Sequence, residues 1–320
     1  MCKLDAAHFQ NDTAAREYLE NTLWPKGTVC PHCGTIGTAY TTSKTGLYRC
    51  AEPACRMDFT VTVGTVFERS KIALHKWLLA SFLICSSKKG MSAHQLHRTI
   101  GVTYKTAWFM AHRLREAMKD GGGMLGGGGK IVEADETYVG GKESNKHRSK
   151  RNKKHIGGVG KQMVFSLVER DGKVRSMHLS TVNASNLRPI LNAQMDTANT
   201  HLMTDGEGQY RILAPMFASH GVVNHTIGEY VRGDITTNTV EGFFSILKRG
   251  IVGTFHHVSP QHLQRYATEF DFRYNHREKN IKIDGKWTKV GHSDTERTHA
   301  MLKGISGKRL TYRPAHQSAA

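Results

Sequence analysis

The sequence predicts an α/β protein in which a core of strands and helices follows a small cysteine-rich module and a helical segment. Three observations predict this. Four cysteines crowd between positions 30 and 55, among strand-forming residues. From Ser70 to Lys119 apolar residues recur at three- and four-residue spacing, the period of a helix face. Beyond a glycine-rich break, short strand-like runs come first and helical runs last.

Each element has a local reason. Residues 1–24 form a lead-in with a helix over Ala14 to Leu23, and alternation in Asp58 to Val63 reads as a short strand. Ser92, with Gln95 three residues on, is an N-cap, Gly101 supplies a tight turn, and Thr103 caps a second helix. That layout is a helix-turn-helix, which puts Tyr104, Lys105 and Thr106 at an exposed helix start and His112, Arg113 and Arg115 near phosphates. Residues 121–129 hold seven glycines and make a linker. Lys130 to Val139, Met163 to Glu169 and Lys173 to Leu179 read as strands, the last two joined by a turn at 170–172. Asn183 to Met195 is helical, His201 to Thr204 a strand, and Val240 to Lys248 and Gln261 to Tyr274 helices. Three strands, a helix, a strand and then helices is the order of a ribonuclease H-like fold. The expected organisation is a lead-in and zinc ribbon over 1–65 and a helix-turn-helix segment over 66–120. The linker (121–129), a catalytic domain over 130–280 and a tail of unassigned role over 281–320 follow.

The chain has 45 Lys and Arg against 27 Asp and Glu, a net charge of +18 over 320 residues, which points to a polyanionic partner. A membrane-spanning role is excluded on length: the longest apolar run, Trp77 to Cys85, falls far short of the roughly 20 residues a spanning helix needs. The first residues carry no secretory pattern and the chain has six cysteines, so a reducing, cytoplasmic setting at the nucleoid is expected.

Cys30 and Cys33 form a C-x2-C turn, and Cys50 and Cys55 form a second pair sixteen residues later. Two such turns complete a tetrahedral thiolate site, and one structural Zn²⁺ suits four soft ligands. His32 sits inside the first knuckle and is read as facing outward, while Cys85, in an apolar run, is read as core.

Asp135 lies toward the end of one strand, Asp205 follows another, and Glu241 opens a helix. Two acidic strand ends and one helical Glu can converge at one sheet edge and hold two Mg²⁺ (or Mn²⁺) ions for in-line phosphoryl transfer. Lys248 follows Glu241 by seven residues, about 700° around a helix, and so shares its face, where it can grip a neighbouring phosphate. Glu133 shares the pleat face of Asp135, and Glu136 and Glu207 are further candidates. The basic run 142–155 holds seven Lys or Arg, and Lys150 and Arg151 at its centre are expected phosphate contacts. Tyr138, Tyr210, Phe255 and Tyr266 are candidates for stacking on unpaired bases, each with core packing as the plainer reading.

The segments EADETYVGGK (133–142), TDGEGQY (204–210), NTVEGFFSILKRGIVGTFHHVS (238–259) and LQRYATEFDFRYNHR (263–277) resemble the DDE transposases of bacterial insertion sequences, specifically the ISXO type. So do CPHCG (30–34) and FTVTVGTVFERSK (59–71). The resemblance runs from about Trp24 to Arg277 and implies a ribonuclease H-like catalytic core with Asp135, Asp205 and Glu241 as its metal-binding triad. Some relatives carry Asn at the third acid, whereas this chain has Glu241. The Cys50–Cys55 spacing is wider than the family's commoner close pair. The implied activity is metal-dependent strand cleavage and strand transfer on double-stranded DNA, at terminal inverted repeats and target alike, by a homo-oligomer. A DNA-binding regulator without catalysis and a ribonuclease H-like nuclease are the alternatives.

Overall fold

The computed structural model describes residues 4–141, 146–151, 160–206, 208–283 and 285–311. The chain divides into two compact units, residues 1–119 together with 276–320, and residues 120–275.

The first unit opens with helix α1 (Asp12–Leu23), whose N-cap Asn11 accepts from the Thr13 and Ala14 amides. The cysteine module follows as an antiparallel three-stranded sheet, β1 (Ala39–Thr41), β2 (Tyr48–Cys50) and β3 (Asp58–Phe59). Trp24 meets Tyr48 and Phe59 edge-on, at 5.4 and 6.0 Å between ring centroids, and gives this small sheet its core. Helix α2 (Leu74–Ser86) buries Trp77, Leu78, Phe82 and Ile84. Helix α3 (Ala93–Ile100) is capped by Ser92, which accepts the Gln95 amide at 3.1 Å, a bond of a kind that contributes about 1 kcal/mol. It ends at Gly101 with φ of 64°, a left-handed conformation that glycine adopts without the Cβ clash. Thr103 then caps helix α4 (Tyr104–Ala117) through the Thr106 amide.

The second unit is built on one mixed sheet. Its members are β5 (Ile131–Val139), β6 (Gln162–Glu169), β7 (Val174–Leu179), β9 (His201–Thr204) and β10 (Ser219–Val222), beside a short parallel pair, β4 (Leu125–Gly126) and β8 (Met195–Asp196). In the order the five strands enter, the sheet reads 3-2-1-4-5: β5, β6 and β7 are antiparallel neighbours, and β9 and β10 run parallel to β5. This is the arrangement expected of a ribonuclease H-like sheet. Helices cover both faces, and the pleat shows which residue meets which. Phe165 and Leu167 of β6 pack with α5 (Ala184–Gln194) and α6 (Gly208–Leu213), whereas Val164 and Val168 pack with α7 (Asn238–Gly250) and α8 (Pro260–Asn275). Between β10 and α7 lies a small hairpin of β11 (Val231–Arg232) and β12 (Ile235–Thr236). Helix α7 runs on into a π-helical turn, Ile251–Phe255, that ends at His256 with φ of 59°. Ser166, Ser176 and Asp271 form a buried polar chain: the two hydroxyls lie 2.8 Å apart and Asp271 accepts both the Ser176 amide and its hydroxyl.

The C-terminal segment, read from sequence only as a tail, carries a hairpin and a helix among its described residues. Strands β13 (Lys279–Ile283) and β14 (Lys286–Val290) pair as a hairpin. Helix α9 (Asp294–Lys303) starts with a complete capping box between Ser293 and Glu296 and packs on α2 and α1 of the first unit. Arg297 fixes it by donating to the Cys85 carbonyl at 2.8 Å.

Candidate active site and metal centre

The cysteine module gathers its four thiols at one point. The sulfur atoms of Cys30, Cys33, Cys50 and Cys55 all lie within 4.8 Å of one another, with Cys30–Cys55 at 3.8 Å and Cys33–Cys50 at 3.6 Å. A tetrahedron with Zn–S bonds of about 2.3 Å has edges of about 3.8 Å, so the donor set fits one zinc ion. The wider second pair converges because the chain turns back over Glu52–Cys55, with the Cys55 amide bonded to the Glu52 carbonyl, and Arg56 takes a left-handed φ of 51°. The Thr35 hydroxyl, 2.9 Å away, and the Thr35 backbone lower the Cys33 thiol to about 6. The Met57 amide pulls Cys55 down, but burial and its three neighbouring thiols together push it up to about 12, a crowding that a shared dication relieves. Cys85 is buried in α2 against Met301, as core.

In the second unit β5 sorts its acids by pleat. Glu133 and Asp135 fall on the α7 side, whereas Glu136 points to the opposite face, where Tyr210 and Gln209 of α6 donate to it. Asp205 follows directly on β9, the parallel neighbour of β5. Burial, then the Asp205 carboxylate, push Asp135 up to about 8, with Glu136 and Glu241 adding to the rise and the Glu136 amide opposing it. Asp205 and Glu241 therefore lie near enough to Asp135 to disfavour its ionised form, with Asp135 secluded and Glu241 open to solvent. Hard carboxylate oxygens in that arrangement suit Mg²⁺ or Mn²⁺. They are more widely spread than the thiols, which among the described residues form the one ligand set within 4.8 Å.

Glu241 sits in the first turn of α7 and stays partly exposed, with His225 Nε2 at 3.3 Å and the Thr237 hydroxyl at 3.4 Å from its Oε1. Lys248 is exposed two turns further along the helix, whose other side buries Val240, Phe243, Phe244 and Leu247. Glu133 has a different task. Fully buried, it accepts the Thr239 and Val240 amides at 2.8 and 3.0 Å and the Thr239 hydroxyl at 2.9 Å, so it caps α7 from the neighbouring strand. Arg170 donates to Glu133 at 2.8 Å and also to the carbonyls of Asp234 and Thr236. One clasp thus ties the strand of Asp135 to the helix of Glu241. Its members, Arg170 included, and His225 carry no local motif; only Glu133 stood out in the sequence, as an alternative to Asp135.

Of the expected DNA contacts, Tyr104 and Lys105 are exposed and Thr106 half-buried at the start of α4. Arg113 requires a correction. It is buried, with its guanidinium 5.3 and 5.7 Å from the rings of Trp77 and Phe109 and donating to the Glu68 carbonyl, so it faces the core and not phosphate. His112 and Arg115 are buried on the same helix. Lys150 ends a 3-10 turn, Arg148–Lys150, and its side chain lies outside the described residues, as do Glu207 and the rest of the basic run at 142–145 and 152–159. Arg151 is exposed. Among the aromatic candidates Tyr210 is fully buried and Tyr266 packs edge-on against Phe255, while Tyr138 is exposed.

A 3-2-1-4-5 sheet with acids gathered at its edge, in a chain that also carries a four-thiol ribbon, defines a protein of the DDE nucleic-acid-processing class. Residues 124–275 match the ISXO2-like transposase domain and residues 10–58 match the transposase zinc-ribbon domain. The chain is 30% identical over 281 residues to a protein of the transposable element ISH50 from Halobacterium salinarum, over 83% of this chain and 91% of that one. It belongs to the ISXO2-like (IS1595) family of DDE transposases. Crystal structures of the Mos1 strand transfer complex and of a pre-cleavage Mos1 transpososome are 13% and 11% identical to it. They cover 58% and 62% of this chain and 72% and 76% of theirs, at TM-scores of 0.19 and 0.17. No helix among the described residues is long and apolar enough to cross a membrane.

Proposed function

We propose that this transposase binds the terminal inverted repeats of its element and uses Asp135, Asp205 and Glu241 to cut and rejoin DNA strands. The observation that carries the reading is the setting of Asp135, which burial first and then the carboxylates of Asp205, Glu136 and Glu241 push up to about 8, a charge crowding that two Mg²⁺ ions would relieve. Bound by Asp135, Asp205 and Glu241, such ions would supply Lewis-acid activation of the attacking oxygen and charge neutralisation at the leaving one. The chain's own groups position the reactants. Asp135, midway along β5 and not at its end as the sequence suggested, and Asp205, just past the end of the adjacent β9, anchor the site, Glu241 closes it from α7, and Lys248 on the exposed side of that helix holds the next phosphate. Water attacks phosphorus at the element's end, the P–O3′ bond breaks, and the strand leaves as a 3′-hydroxyl. That hydroxyl then attacks a target phosphodiester, which forms one P–O bond and releases a target 3′-hydroxyl.

The zinc ribbon and the α3–α4 pair, acting as a helix-turn-helix with Tyr104, Lys105 and Thr106 toward the bases, supply end recognition. Lys150 and Arg151 add phosphate contacts. Joining two ends to one target calls for a homo-oligomer, at work at the nucleoid. The test is incubation of the purified protein with labelled element-end DNA and Mg²⁺. Cleaved and joined products are expected. End binding without cleavage in Mg²⁺ and Mn²⁺ alike would replace the reading with a DNA-binding regulator, and cleavage without joining with a nuclease.

A further inference from the structure

The segment between β10 and β12 exposes a row of apolar side chains beside the third acid. Ile227 is 75%, Tyr230 58% and Val231 56% exposed, an unusual concentration for one short loop. The segment is braced at its base. The Asn224 amide donates to the Glu229 carboxylate and the Glu229 amide returns to the Asn224 carbonyl, at 3.2 and 3.1 Å. Arg232 reaches back to the Val222 carbonyl and pairs with Glu229. The Tyr230 ring centroid lies 5.1 Å from that of His225, and His225 Nε2 lies 3.3 Å from Glu241 Oε1. The ledge therefore begins where the carboxylates end, within the length of about three stacked nucleotides at roughly 3.4 Å each.

We infer that Tyr230, flanked by Ile227 and Val231, stacks on an unpaired DNA base close to the scissile phosphate; the inference rests on the transposase reading of the acids. Whatever occupies the acid site in the reaction covers this ledge next. A phosphodiester placed among Asp135, Asp205 and Glu241 brings its neighbouring nucleotides over Tyr230. A duplex end presents its phosphates outward and its bases inward, so seating one phosphate deep among the acids favours opening the adjacent pair. An exposed aromatic face recovers much of that cost by stacking, whichever base is present.

The test uses the full chain and element-end duplexes carrying 5-iodouracil singly at each of the three positions on either side of the cleavage site. Ultraviolet irradiation is expected to crosslink Tyr230, identified by peptide mass. Tyr230→Phe keeps cleavage within about twofold, and Tyr230→Ala slows it about tenfold while end binding by the ribbon remains. Wild-type cleavage by Tyr230→Ala with no crosslink at Tyr230 would overturn the inference and leave the transposase reading intact. A changed oligomeric state of the Tyr230→Ala complex, again without the crosslink, would overturn it in favour of a contact between copies. Absence of cleavage by the wild-type protein would instead sink the reading beneath it.

Discussion

Glu133 and Asp135 stand two residues apart on one strand, and the pleat turns both toward α7, yet their partners give them opposite tasks. Asp135 is crowded by other acids, whereas Glu133 is neutralised by Arg170 and by the amides that open α7. Period-two alternation made the shared face legible in the sequence. Which acid meets a helix N-terminus depends on residues more than a hundred positions away, and no local pattern reports that. Removing the carboxylate strands Arg170 and uncaps the helix, so Glu133→Ala is expected to cost about 3 kcal/mol in urea unfolding, and Glu133→Gln less. Asp271 makes a pH-dependent prediction. Burial pushes its carboxyl up to about 7, against the hydrogen bonds from Ser176 that pull it down. The folded state then keeps a proton that the unfolded chain releases near pH 4, so this group makes stability fall as pH rises from about 4 to about 7. The melting temperature of the wild type measured against Asp271→Asn should decline across that window; a constant difference would place the charge elsewhere.

At the scale of elements, helix ends were the most legible features because capping is local: Ser92, Gly101 and Thr103 act where their residue types suggest. The inward face of α4 was not legible. Arg113 is held by Trp77 and Phe109 and by a carbonyl in the segment before α2, and a basic residue in a basic chain reads by default as surface. The ribbon was legible from cysteine spacing, and its wide second knuckle is explained by the turn at Glu52–Cys55. Its sheet packs only three aromatic rings, Ala39 and Val63 around the thiols, a core so small that the domain is expected to depend on metal. Metal analysis should therefore find one zinc per chain. Cys50→Ser should lose it, together with the near-ultraviolet circular dichroism of the Trp24–Tyr48–Phe59 cluster. Retention of zinc by Cys50→Ser would contradict the four-thiol site.

For the whole molecule, β5, β6, β7 and β9 were legible as strand-like runs in chain order, while β10 at the sheet's edge and the return of the chain to the first unit were not. The capping box at Ser293 marks a helix start, but the docking of α9 on α2 is a long-range event. His225 and Tyr230 were missed for the same reason: only the fold brings their loop beside α7. The net charge of +18 belongs to this scale too. If six or more phosphates are neutralised on binding, raising salt from about 50 to 200 mM should weaken end binding on the order of 10³-fold, and a flat salt profile would contradict a phosphate-dominated interface.

The claim on which the rest depends is that Asp135, Asp205 and Glu241 form one metal-dependent site. The most direct measurement is Mg²⁺-dependent cleavage of labelled element-end DNA by Asp135→Asn, Asp205→Asn and Glu241→Gln, beside their melting temperatures and end affinities. Each variant is expected to lose cleavage by about 10³-fold or more while folding and end binding persist, because residues that act as a unit fail together. Wild-type cleavage by any one of the three would contradict the account.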